Sequence, residues 1–79
     1  MRGVVSKVSS NRSIIAVRVD DGSYSMIELF GDEVEVGDIL EWNGSSGDIT
    51  NLTQRKRISA MFQDHGMTSY GVDQHPLLG

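Results

Sequence analysis

No cysteine occurs among the 79 residues, which excludes disulfides and thiolate metal sites outright. Proline appears once, at Pro76, and aromatic residues make up only 6% of the chain. No apolar run approaches the roughly 20 residues a membrane helix needs, and the start of the chain has no stretch suited to a signal peptide. A cytoplasmic location without membrane contact is therefore expected. Helical periodicity is missing too: no segment repeats apolar residues at i, i+3 and i+4. Catalytic patterns fare no better. There is no Gly-flanked serine elbow and no phosphate-binding glycine loop, so no enzyme is expected.

Metal chemistry is equally poorly provided for. His65 and His75 stand ten residues apart with Asp64 and Asp73 nearby, short of the three or four fixed ligands a site requires. The acids Asp20, Asp21, Asp32, Glu33 and Glu35 do not form a calcium loop with its closing glutamate. Neither a cofactor nor a metal is expected.

What the chain does have is strand chemistry and turns. Nine glycines punctuate segments rich in β-branched residues. The pattern predicts strands over 2–8, 14–19, 24–30, 39–42, 49–53 and 57–64. Alternation puts Ile15, Val17, Val19, Ile27 and Leu29 on one face, with Ile14, Ala16, Arg18, Tyr24, Met26, Glu28 and Phe30 on the other. Leu40 and Trp42 share a face, and Ile58, Ala60 and Phe62 point inward. The Asp-Gly step at 21–22 predicts a tight hairpin, Gly37 and Asp38 a turn, and 43–48 a loop. Val34 or Val36 is expected to anchor the connection before that turn. Residues 1–64 read as one β-barrel domain, and 65–79 as a flexible or loosely docked tail.

The stretch "GVVSKV" spaces Gly3, Val5 and Val8 as two residues then three, which implies a bulge that coils the first strand. With the Asp-Gly hairpin and the later "VGDIL", residues 2–64 resemble small oligonucleotide/oligosaccharide-binding (OB) barrels of the RNA-binding ribosomal-protein and cold-shock kind. The resemblance implies an all-β, five- or six-stranded barrel; an SH3-like barrel is the alternative. It also implies binding of single-stranded RNA or DNA on the outer face of the second and third strands. The residues carried over are Arg18, Tyr24, Met26 and Phe30, helped by Arg55, Lys56 and Arg57 from "QRKR". The departure is that this face holds two aromatics and one arginine, with acids nearby that repel phosphate.

Charge is segregated along the chain. Residues 1–19 carry Arg2, Lys7, Arg12 and Arg18 without an acid, 20–48 carry nine acids without a base, and the net charge is −4. Such blocks either leave a basic face or cancel by pairing across strands. A second reading follows from that acidity: a protein-interaction module in which Ile14, Met26 and Phe30 dock a partner or another copy. A monomer or weak homodimer is expected, because two or three apolar side chains support only weak association.

Overall fold

Six segments of β-branched and apolar residues, separated by turn residues, become six strands in the computed structural model, which describes residues 1–43 and 48–78. They are β1 (Arg2–Val8), β2 (Ile14–Val19), β3 (Tyr24–Leu29), β4 (Ile39–Trp42), β5 (Asp48–Asn51) and β6 (Lys56–Met67). A short helix α1 (Ser69–Gln74) and a 3-10 turn (Pro76–Leu78) follow. Part of the loop expected at 43–48 falls in residues 44–47, outside the described residues.

The strands form a closed antiparallel barrel in the order β1-β2-β3-β6-β5-β4. Two three-stranded meanders, β1–β3 and β4–β6, are joined along β1–β4 and β3–β6. This all-β architecture is compatible with an OB-like barrel. Three features serve the closure. The bulge expected in β1 lies between Val5 and Lys7, where the register with β2 shifts. Gly3, on the same strand, pairs with Val19 of β2 on one side and Leu40 of β4 on the other. In the register of β6 with β3, shifts fall on both sides of Met26, and Gly66 adopts a positive φ of 65°.

Burial follows the predicted alternation inside the barrel. Val5, Ile15, Val17, Val19, Ile27, Leu29, Val34, Leu40, Trp42, Ile49, Ile58 and Ala60 make one core, with Val8 and Phe62 packed against it. Of the two candidate anchors before the turn, Val34 is buried and Val36 is exposed. The outer face of β2 and β3 departs from expectation. Ile14, Ala16 and Met26 face outward but are buried, forming a second apolar cluster with Val72 and Leu78. The residues after His65 bring this about. β6 runs on to Met67, and the tail then folds back over β2 and β3. Leu78 docks while Leu77 stays exposed. Helix α1 escapes sequence periodicity because it has six residues and one buried side chain, Val72.

The Val-Gly-Asp turn holds a buried polar centre. Gly37 takes a φ of 97°, in the left-handed region that favours glycine, and donates its N–H to the Val5 carbonyl. Asp38 is buried, and one carboxylate oxygen, Oδ2, accepts from the Glu35 N–H, Asn51 Nδ2 and Gln54 Nε2 at 3.0, 2.9 and 2.7 Å. Burial alone pushes its carboxyl up. The hydrogen bonds from Asn51, the Glu35 backbone and Gln54 outweigh that and hold it below the ordinary value of 3.8.

Two outcomes follow. A Cβ on Gly3 would sit 2.4 Å from Val17 Cγ1 and 2.9 Å from the Arg18 carbonyl oxygen, so Gly3→Ala must displace backbone. Urea unfolding should show it less stable by about 1–3 kcal/mol. Asp38→Ala strands three donors and should cost about 2–4 kcal/mol. Because the Asp38 carboxyl is lowered in the fold, its stabilisation is complete above the unfolded value near 3.8 and is lost as pH falls through the lower folded value. Acid titration of stability should therefore fall less steeply below pH 4 in Asp38→Asn than in the unmodified chain.

Candidate functional site

Of the seven residues that the sequence assigns to nucleic acid, the structure brings two together. Arg18 of β2 lies directly opposite Tyr24 of β3. The pairings of Arg18 with Val4 and of Val4 with Ile39 continue this outer row onto β1 and β4. A cleft of roughly 350 Å³ opens here, lined by Arg2, Val4, Arg18, Asp20 and Ile39 among others. Arg18 forms no ion pair among the described residues. Tyr24 is half-buried against the tail cluster, so only part of its ring is free for stacking.

The other five lie elsewhere. Met26 is 0% exposed beneath the tail and presents nothing to a ligand while the tail is docked. That corrects its assignment as a solvent-facing contact. Phe30 stands just past the end of β3 and is 57% exposed. Arg55 lies in the turn before β6 with a positive φ of 58°. Lys56 and Arg57 are the first residues of β6, which starts one residue before the expected strand over 57–64. Both face acids: Lys56 Nζ approaches Asp32 Oδ1 at 4.0 Å, and Arg57 bonds Asp48 at 3.1 Å.

Part of the segregated charge cancels by ion pairing. Arg2 pairs with Glu41 and Arg12 with Glu35, at 2.9 and 3.2 Å. Four of the seven basic side chains thus meet a carboxylate from the acidic block. Strand register accounts for one of these pairs directly: Arg2 of β1 lies opposite Glu41 of β4. Lys7, Arg18 and Arg55 have no carboxylate partner among the described residues.

The exposed apolar residues are arranged differently. Met61, 47% exposed, lies opposite Glu28 on the outer face of β6, while the Phe30 N–H donates to the Ser59 carbonyl. This register sets Met61 diagonally beside Phe30. Glu28 in turn lies opposite Ile14, at the margin of the covered cluster. Sequence alternation signalled Met61, since Ile58, Ala60 and Phe62 point inward, but gave no reason to set it beside Phe30.

At one end of the barrel an aromatic run leads outward. Trp42 and Phe62 have ring centroids 5.4 Å apart, and His65 stacks on Phe62 at 4.7 Å. A second cavity of roughly 300 Å³ is lined there by Trp42, His65, Ser23, Ser25 and Asp21. Hydrogen bonds from the Ser23 hydroxyl and amide hold the Asp21 carboxyl below its ordinary value, fixing it to its own hairpin. His75 Nδ1 accepts from the Leu77 N–H. Among the described residues no group of three or more His, Cys, Asp or Glu is placed to hold a metal ion. No described helix is long and apolar enough to cross a membrane. No family model, curated protein or solved structure matches the chain.

The contrast between Met26 and Phe30 gives a direct check. Met26→Ala should lower stability by about 2–4 kcal/mol, as for a fully buried methionine. Phe30→Ala should stay within about 0.5 kcal/mol, as for an exposed position. Urea titrations of both variants measure the difference.

Proposed function

We propose that this chain is a non-catalytic protein-interaction module built on an OB-like barrel, engaging its partner through the outer face of β2, β3 and β6. The observation that carries this reading is the apolar character of that face. Ile14, Ala16 and Met26 occupy outward positions yet are apolar enough to be buried by the tail, and Phe30 and Met61 extend the face into solvent. Adjacent exposed apolar side chains on a small barrel mark a contact surface. The non-catalytic part rests on the sequence, which holds no thiol, serine elbow or phosphate loop. The lack of cysteine also accords with a cytoplasmic setting.

A second reading, binding of single-stranded RNA or DNA, has its own support. Among the described residues Arg18 has no carboxylate partner, it lies opposite Tyr24, and the sequence resembles RNA-binding barrels. The net charge of −4 and the ion pairs of Lys56 and Arg57 weigh against it.

Salt separates the two readings, because phosphate contacts weaken with ionic strength while apolar contacts persist. Sedimentation at high protein concentration should show a monomer with weak self-association that survives 0.5 M salt and disappears in Phe30→Ser. A tight dimer indifferent to that substitution would move the contact face elsewhere. Amide shifts on adding short poly-U or poly-dT at low salt should be absent. Saturable, salt-sensitive shifts at Arg18 and Tyr24 would replace the protein reading with the nucleic-acid one.

A further inference from the structure

Outward positions on a barrel strand ordinarily carry polar residues, but β2 and β3 present Ile14, Ala16 and Met26. These side chains are 7%, 0% and 0% exposed because the chain's own end lies over them. The hold has an unusual form. Val72 and Leu78, six residues apart, are the buried anchors. The segment's hydrogen bonds are internal. Thr68 Oγ1 accepts from the Gly71 N–H, and the Thr68, Val72 and His75 carbonyls accept from the Val72, His75 and Leu78 amides. Among the described residues no hydrogen bond or ion pair joins 69–78 to the barrel. A segment that folds on its own cap and touches the sheet through two aliphatic side chains meets it as a bound peptide does.

We propose that the Ile14–Ala16–Met26 face is a peptide-docking groove and that the C-terminal segment is its resident occupant in cis. Its external ligand is a partner protein's segment with two aliphatic side chains six residues apart on a short N-capped helical turn. This rests on the protein-interaction reading and names the partner's chemistry. The resident segment defines the fit. Val72 and Leu78 supply the anchor spacing, while Tyr24 and Met67 pack alongside. The joint on which the segment turns is Gly66, whose positive φ precedes the last strand residue. Binding in trans requires the resident segment to lift, so it acts as a competitive cover.

The test uses the full chain carrying Val72→Asp and Leu78→Asp, with a fluorescein-labelled synthetic peptide of residues 67–79 as probe. The variant should keep its β-type circular dichroism and bind the peptide saturably, at least tenfold tighter than the unmodified chain does. A peptide bearing both aspartates should not bind. A folded variant that ignores the peptide up to millimolar concentration overturns the proposal. So does equal binding to both proteins, or a variant that instead dimerises or takes up poly-dT. An unfolded variant also overturns it, since the tail would then be part of the core. On the unmodified chain, amides of residues 72–78 should exchange hydrogen at least tenfold faster than those of Ile15 and Ile27. Equal protection would mean that the tail leaves only when the barrel unfolds. The peptide reads the covered part of the face alone, so its failure leaves the Phe30 contact standing, and loss of the Phe30 effect leaves the groove standing.

Discussion

The barrel turns on one buried carboxylate. Asp38 Oδ2 gathers the Glu35 amide, the Asn51 side chain and the Gln54 side chain, while the Asp38 carbonyl accepts from the Val5 N–H of β1. Asn51 passes the connection on, its Oδ1 accepting from the Gln54 N–H, and Gln54 reaches back to the Glu33 carbonyl. One residue, through its side chain and its carbonyl, thereby ties the entry to β4, the end of β5 and the turn into β6 to the first strand. Removing one member leaves buried donors or acceptors unsatisfied, which makes such a network worth more than any of its bonds alone. No buried side-chain nitrogen or oxygen lacks a partner among the described residues.

This centre also constrains the register. The Asn51 side chain reaches Asp38 when β4 and β5 pair with Leu40 opposite Asn51. A slip of one residue would turn Asn51 outward and leave the carboxylate buried without that donor. The apolar core alone tolerates exchange among similar side chains, whereas the polar cluster accepts few arrangements. Surface charges contribute differently. The pairs Arg2–Glu41, Arg12–Glu35 and Arg57–Asp48 are well exposed, so each adds at most about 1 kcal/mol. They also neutralise bases that the sequence alone leaves available to phosphate.

The inward face of nearly every strand was legible in the sequence because alternation is a local signal. Ile15, Val17 and Val19, or Leu40 and Trp42, declare their side within a few residues. The β1 bulge was legible from the spacing of Gly3, Val5 and Val8. What covers an outward face is not local. Met26 reads as a surface contact because its burial depends on Val72 and Leu78, about fifty residues away and in a stretch without period. The centre at Asp38 was half legible: Gly37 and Asp38 mark a turn, but nothing nearby names Asn51 and Gln54 as its donors. The candidate site was least legible, since the fate of Lys56 and Arg57 was fixed by Asp32 in the β3–β4 connection and Asp48 on β5.

The closed strand circuit restricts how anything can bind. An open sheet has an edge, a row of unpaired N–H and C=O groups to which an extended peptide adds as one more strand. Here β1 pairs with both β2 and β4, and β3 with both β2 and β6, so neither end of the strand order is left open, although β6 beyond Ser59 pairs with β3 alone. Backbone templating, which tolerates almost any extended sequence, has little of the barrel open to it. Under the proposed interaction reading, recognition falls mainly to side chains on the faces and at the ends, where shape and chemistry decide. The same closure limits edge-to-edge aggregation of so small a domain.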